Sequence, residues 1–193
     1  MLKVAITGGI GSGKSLVCSI FEKLNVPIFY ADPEAKELMN TDIGIREKML
    51  NSFGFDIFDD NFQLNRSKLA AIIFNNKDAL STINSIVHPV VRKEFNSWAG
   101  QQHSPYVILE SAIILESELV NDFDKIITVS APLEVRIERV MKRDHVDREA
   151  VIERIKNQMD EDLRCEKSDY IIVNDGKEIM VLPQIINIHN SLH

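Results

Sequence analysis

Several features are scarce in this 193-residue sequence, and each scarcity excludes a class of protein. The two cysteines, Cys18 and Cys165, form neither a Cys-x-x-Cys pair nor a zinc-ligand spacing, which excludes a disulfide scaffold and favours a reducing compartment. Positive charge is in deficit, with 22 Lys and Arg against 29 Asp and Glu, so the net charge of −7 argues against a general nucleic-acid binder. No apolar run approaches the ~18 residues of a membrane span, and residues 2–6 are typical of a strand rather than a signal peptide. We therefore expect a soluble cytoplasmic protein.

What the sequence does contain is a regular alternation of two kinds of segment. Short, almost continuously apolar runs are typical of parallel strands that are covered by helices on both faces. Longer stretches with apolar residues on one side, such as 15–24 and 133–141, predict amphipathic helices between them. The pattern predicts an α/β fold with a doubly wound, five-stranded parallel sheet, its strands lying at 3–7, 27–31, 106–110, 125–130 and 169–174.

Two segments interrupt this alternation. About seventy residues separate the second strand from the third, far more than a usual connection, and therefore predict a subdomain. Its periodicity is helical, at 43–51, 66–74 and 79–98. The second segment, 134–167, is densely charged, with nine Lys or Arg interleaved with ten Asp or Glu.

The most specific signal is a glycine-rich loop between the first strand and the first helix. It reads Gly8-Gly9-Ile10-Gly11-Ser12-Gly13-Lys14-Ser15 and fits the phosphate-loop pattern G-x-x-x-x-G-K-[ST] in full. Glycines let successive backbone N–H groups point at phosphate oxygens, and the helix that follows adds its positive N-terminal end. Lys14 would reach the β- and γ-phosphates, and the Ser15 hydroxyl would bind Mg²⁺. The loop predicts binding of a nucleoside triphosphate.

The motifs that usually accompany this loop narrow the class of protein. A GTPase also needs D-x-x-G and N-K-x-D, but no aspartate here has glycine three residues later, and Asn76-Lys77-Asp78 has its aspartate one place early. A motor or AAA-type ATPase needs a longer core and a strand ending in paired acids. We therefore predict a small-molecule kinase with an acceptor domain and a closing lid; a nucleotide-gated switch protein is the alternative from another class, and an inactive structural homologue is disfavoured because the loop is intact.

Carboxylates follow two of the predicted strands. Asp32 comes directly after the second strand and could accept the proton of an acceptor hydroxyl or orient it for in-line attack. It could equally be the N-cap of a helix whose first position is Pro33. Glu110 ends the third strand, where an acid could hold Mg²⁺ through water, or it could simply be a polar residue at a strand exit. The residues themselves leave both alternatives open.

A row of arginines begins the charged segment. Arg136, Arg139 and Arg143 fall at i, i+3 and i+7, on one helix face, where like charges repel unless an anion joins them. A triphosphate under a closing lid would be such an anion. The alternative is a solvated face, since acids are interleaved, and spacing does not say which arginines point inward. His88, before Pro89, could contact a substrate phosphate, although a lone histidine is more often structural.

These residues together resemble the dephospho-CoA kinase family over nearly the whole chain. The resemblance lies in Thr7 and the phosphate loop through Ser15, Ala31-Asp32, His88-Pro89-Val90-Val91-Arg92, Ala131-Pro132, Glu138-Arg139, Arg143-Asp144, Arg154-Ile155 with Gln158, and Ser168-Asp169-Tyr170 leading to Asn174. It implies transfer of the γ-phosphoryl group of ATP, with Mg²⁺, to the ribose 3′-hydroxyl of dephospho-CoA, with no nucleic acid, membrane or obligatory protein partner. It also implies a phosphate-loop core (1–31, 104–136 and 168–193), a helical insert that binds the CoA substrate (32–103) and a lid (137–167).

The resemblance also implies a role for each matching residue. We expect catalytic roles for Asp32, Lys14 and Arg139, and Mg²⁺ binding by Ser15 and, through water, Glu110. We expect substrate contacts from Asp32, His88, Arg92 and Glu110, and ATP contacts from Gly8, Gly9, Gly11, Ser12, Gly13, Lys14, Ser15, Leu16, Arg143 and Asn174.

Two departures from the family pattern stand out. Leu16 occupies a position where the family usually has Thr, but Ser15 still supplies the hydroxyl. The family's third strand usually exits as Asp-x-Pro-Leu-Leu-Phe-Glu, whereas residues 110–116 read Glu-Ser-Ala-Ile-Ile-Leu-Glu, which could reshape the substrate pocket. The alternative enzyme is therefore another P-loop kinase that acts on a different nucleotide or metabolite.

Overall fold

A five-stranded sheet organises the larger part of the chain, of which the computed structural model describes residues 1–74 and 76–193. All neighbouring strands are parallel and the order is β2-β3-β1-β4-β5, which confirms the predicted α/β architecture. The strands are β1 Leu2–Thr7, β2 Ile28–Tyr30, β3 Tyr106–Glu110, β4 Lys125–Ser130 and β5 Tyr170–Val173. The carboxyl ends of all five strands lie at one edge of the sheet because the pairing is parallel throughout.

Helices connect the strands and follow the last of them. Four of the described helices, the second and the last three in chain order, were not delimited from the sequence, although a helix beginning near Asp32 was considered. The helices are α1 Lys14–Lys23, α2 Ala31–Thr41, α3 Ile43–Phe53, α4 Arg66–Phe74, α5 Lys77–Gly100, α6 Leu133–Asp144, α7 Arg148–Lys156, α8 Glu161–Glu166 and α9 Val181–Ser191. The second strand is shorter than predicted, since residue 31 already starts α2.

The chain divides into two compact units, one formed by Met1–Tyr30 with Gln102–His193 and the other by Ala31–Gln101. In the first unit α1 and α9 cover one face of the sheet, and their buried side chains join those of the central strands in one core. Strands buried on both faces need apolar side chains at nearly every position, which explains the continuous apolar runs of the sequence. The core includes Val4, Ile6, Val17, Phe21, Ile108, Ile127, Val129, Ile172, Val181 and Ile185.

The second unit consists of the helices α2 to α5. The long helix α5 packs against the other three and buries a stripe of apolar residues, among them Ile83, Val87 and Val91. Its N-cap is Asn76, whose side-chain oxygen accepts hydrogen bonds from the N–H groups of Asp78 and Ala79 at 3.1 and 3.0 Å. The Asn-Lys-Asp sequence that approximates a guanine motif is therefore a helix start.

Across the described residues, every helix is either too short or too polar to cross a lipid bilayer.

Candidate active site

The glycine-rich loop lies at the carboxyl edge of the sheet, between the end of β1 and the start of α1. Gly11 and Gly13 adopt positive φ angles of 78° and 95°, which side chains other than glycine rarely tolerate. A Cβ atom at Gly11 would also collide with the backbone of α6, and one at Gly13 with the amide of Asn174. The loop conformation thus needs glycine for both its dihedral angles and its close contacts.

Lys14 and Glu110 come together beside this loop. The Nζ atom of Lys14 donates a hydrogen bond to the carbonyl of Gly8 at 2.9 Å and lies 3.8 Å from Oε1 of Glu110. Both side chains are 14% exposed, so the two charges face each other in a partly dry environment. The strand order explains why Lys14 and Glu110 lie close together. Strands β1 and β3 are neighbours, and Glu110 pairs in register with Ile6, one residue before the end of β1. The Ser15 hydroxyl lies on an exposed residue at the start of α1.

Helix α6 supplies cationic side chains to the same region. A cavity of about 160 Å³ is lined by Lys14, Ser15, Arg139 and Arg143, together with Gly11, Gly13 and Val140. Three of these side chains carry positive charge, and the loop adds backbone glycines beside a helix N-terminus. The lining suits a polyanion such as a nucleotide phosphate chain.

Arg139 and Asn174 are tied to each other and to the loop. The guanidinium of Arg139 donates to the carbonyls of Gly11 and Ser12 at 3.2 and 3.3 Å, and to Oδ1 of Asn174 at 2.9 Å. The amide of Asn174, which is 1% exposed, donates to the Ser12 carbonyl at 2.9 Å. Both residues therefore hold the loop in shape; the expected contacts of Asn174 and Arg139 with ATP stay predictions.

Arg143 shares a carboxylate with Arg154. Asp144 accepts two hydrogen bonds from Arg143, at 2.7 and 3.1 Å, and one from Arg154 at 2.7 Å. These bonds, chiefly those from Arg143, lower the pKa of Asp144 to about 2. The Arg143 side chain is 62% exposed, so it can exchange this partner for a ligand at modest cost.

The remaining predicted residues, Asp32, His88 and Arg92, lie in the second unit. Asp32 is exposed and lies in the first turn of α2, which begins at Ala31. Asp32 and Pro33 are the second and third helical residues, so the alternative of Asp32 as N-cap with Pro33 at the first helical position is wrong by two residues. His88 and Arg92 stand one turn apart on α5. Burial lowers the pKa of His88, so at neutral pH this side chain is an uncharged hydrogen-bonding group. Arg92 is exposed.

Three residues near the loop were not singled out as site residues from the sequence. Gln158 accepts a hydrogen bond from the Ile10 N–H at 2.8 Å, while Glu161 and the fully buried Arg164 form an ion pair at 2.8 Å that continues to Arg136. Of these three residues, only Gln158 is among those that carry the family resemblance. Nothing in the sequence distinguishes Arg164 from the eight other basic residues of its segment, because burial depends on tertiary packing.

The comparison with protein families distinguishes between the two predicted classes, a small-molecule kinase and a nucleotide-gated switch protein. A family model described as dephospho-CoA kinase matches residues 2–179. The chain belongs to the dephospho-CoA kinase family. It is 37% identical to the dephospho-CoA kinase of Bacteroides fragilis strain YCH46 over 188 residues, which cover 97% of this chain and 91% of that one. Family membership favours the predicted kinase over the nucleotide-gated switch.

Solved structures agree with this assignment at the level of the fold. TT1252 from Thermus thermophilus is 27% identical, with a TM-score of 0.87, and the match covers 98% of this chain and 96% of that one. A dephospho-CoA kinase from Campylobacter jejuni, at 22% identity and a TM-score of 0.62 over the same shares, has the same fold. The family uses ATP, and its reaction belongs to coenzyme A biosynthesis.

Proposed function

We propose that this protein transfers the γ-phosphoryl group of ATP to the ribose 3′-hydroxyl of dephospho-CoA, yielding coenzyme A and ADP. The observation that carries the proposal is the match of the dephospho-CoA kinase family model to residues 2–179, within which the phosphate loop is intact. Such a transfer needs little covalent chemistry from the protein, since positioning and charge stabilisation supply most of the rate.

The triphosphate would bind along the loop 8–13 and the cavity beside it. Lys14 would bind the β- and γ-phosphates, exchanging its bond to the Gly8 carbonyl for phosphate oxygens. Arg139 and Arg143 line the same cavity and would stabilise the negative charge that builds up during transfer. The region 137–167 would act as the lid that excludes water.

Mg²⁺ would be held by Ser15 and, through water, by Glu110. A hydroxyl and a carboxylate are hard oxygen donors, which is the chemistry that this ion prefers. The carboxylate lies 3.8 Å from the ammonium of Lys14, the group that would meet the same phosphates. Since Mg²⁺ keeps several waters and takes its other ligands from phosphate, two protein oxygens are enough. When bound, the ion would neutralise phosphate charge.

The acceptor would be handled by the insert 32–103. Asp32 would accept the proton of the 3′-hydroxyl or orient the hydroxyl for attack; its exposed position in the first turn of α2 leaves the carboxylate accessible. His88 and Arg92, one turn apart on α5, would contact the substrate as a neutral donor and a cation.

We also expect a cytoplasmic location, since Cys18 and Cys165 are both free thiols.

The decisive experiment measures ADP release from ATP and Mg²⁺ with and without dephospho-CoA, and identifies the product by mass. We expect release to require the acceptor and the product to carry one added phosphate on the ribose. The matched control is Lys14→Ala, which should abolish most of the release. Acceptor-independent release, or none, would contradict the proposal and direct the search to another metabolite as acceptor.

A further inference from the structure

Ile10, at the tip of the phosphate loop, is held from outside the loop on both sides of its backbone. Its N–H donates to Oε1 of Gln158 at 2.8 Å, and its carbonyl accepts a hydrogen bond from Nε of Arg136 at 3.0 Å. Its side chain packs against an apolar cluster that includes Ile137, Val140 and Val151. The orientation of the loop tip is therefore determined by residues more than a hundred positions away in the sequence.

Arg136 is itself held by a buried ionic network. It is 4% exposed and pairs with Glu161 at 3.1 Å, and the same carboxylate oxygen pairs with the fully buried Arg164 at 2.8 Å. Arg164 also donates to the carbonyl of Met159 at 3.0 Å and lies 3.6 Å from Glu116. Two guanidinium groups and two carboxylates balance in charge, and together they connect α6 to α8.

Stability alone is a poor explanation of this network. Removing two guanidinium groups from water costs free energy that their carboxylate partners only roughly offset, so apolar side chains would serve a core equally well. Burial accordingly lowers the pKa of Arg136, against the opposing effect of Glu161. The guanidinium of Arg136 has a specific use, however. It lies against the backbone of Gly9, where a side chain on that glycine would collide with it, and its Nε donates a hydrogen bond to the carbonyl of Ile10.

We propose that Arg136, held by Glu161, is a positioning residue that fixes the Ile10 peptide and preorganises the phosphate loop for nucleotide phosphates. Gln158 does the same from the N–H side of that peptide. A loop that is already in the binding conformation loses less conformational freedom when the phosphates arrive. The inference rests on the nucleotide-binding part of the proposed function and is independent of the acceptor.

The test compares Arg136→Met with Arg148→Met as a matched control. Arg148 lies in the same charged segment and makes a two-bond ion pair with Glu134, both bonds at 2.7 Å, but on the surface.

The affinity for MgADP is measured by calorimetry on the intact protein, at a temperature at which each variant is folded. Hydrogen exchange is measured on the peptide that covers residues 8–14. For Arg136→Met we expect affinity to fall about tenfold, the equivalent of one lost charge-assisted hydrogen bond, together with faster exchange in the loop. Arg148→Met should change neither quantity.

Gln158→Leu keeps the inference testable if Arg136→Met does not fold, since it removes the other bond to Ile10 without leaving a buried charge unpaired. It should accelerate exchange in the loop and weaken MgADP binding, although less than Arg136→Met does. A variant at residue 136 that melts earlier but binds MgADP like the wild type would mean that Arg136 is only structural, and unchanged loop exchange in Gln158→Leu would overturn the role of the Ile10 contacts.

These measurements separate the inference from the proposed function. MgADP binding needs no acceptor, so a protein that binds MgADP but does not phosphorylate dephospho-CoA would refute the proposed function only. The kinase assay adds a second readout for an active protein: loss of preorganised binding raises the KM for ATP more than it lowers kcat.

Discussion

Replacing Asn174 by alanine tests how the phosphate loop is attached to the sheet. The side chain makes two hydrogen bonds, one from its amide to the Ser12 carbonyl and one from the guanidinium of Arg139, both at 2.9 Å. Asn174 directly follows β5 and is 1% exposed, so the bonds form away from water. Alanine keeps the backbone bond from the N–H of residue 174 to Ser130 and removes only the side-chain bonds.

The magnitude follows from those two bonds. A neutral hydrogen bond contributes about 1 kcal/mol and one to a charged group about 1.5–3 kcal/mol, so Asn174→Ala should cost about 2.5–4 kcal/mol of the free energy of unfolding. For a chain of this size each kcal/mol moves Tm by about 2–4 °C, which gives a drop of about 5–15 °C. Because the lost bonds orient the Ser12 carbonyl and Arg139, we also expect weaker MgADP binding.

The assay is thermal unfolding with and without MgADP, alongside calorimetric titration of MgADP. Asn190→Ala, on the exposed surface of α9, is the control and should leave Tm within about 2 °C of the wild type. An Asn174→Ala protein as stable as this control would refute the reasoning from the two bonds. Lower stability with unchanged MgADP affinity would separate the attachment of the loop from nucleotide binding.

Three further outcomes are expected. Asp32→Asn should lower kcat by about 10²–10⁴-fold, since the amide cannot accept the hydroxyl proton, while calorimetry shows MgADP affinity nearly unchanged; surviving turnover would reduce Asp32 to a helix-start residue. Lys14→Ala should lower kcat/KM for ATP by about 10²-fold or more through loss of phosphate charge stabilisation, and kinetics like the wild type would contradict the loop assignment. The pKa of Asp144 is lowered from 3.8 to about 2, chiefly by its bonds from Arg143, so its contribution to stability is complete above about pH 4 and is lost as the pH falls toward 2. Urea unfolding between pH 5 and pH 2.5 should therefore show a steeper loss in the wild type than in Asp144→Asn, and equal slopes would contradict the effect of these ion pairs.

Some features were readable from the sequence because they depend on neighbours along the chain. The phosphate loop needs glycines at fixed spacing, and its lysine and serine follow directly, so the pattern predicts a nucleotide site at this loop. The parallel sheet was equally visible, since strands that are covered on both faces must be apolar throughout. Helix α9 was not predicted, although its buried residues Val181, Ile185 and Ile188 have helical spacing.

Tertiary packing determines which charged side chains are buried and which of them form ion pairs. Arg136 and Arg148 lie on the same charged segment, yet one is buried behind the phosphate loop and the other pairs with Glu134 on the surface. Glu110 reaches Lys14 because the strand order places β3 beside β1, although about a hundred residues separate the two in sequence. The fold class, the phosphate loop and nucleotide binding could be predicted from the sequence because they depend on local patterns. Only the three-dimensional packing decided the network around Ile10, since burial and ion pairing are properties of contacts between distant residues.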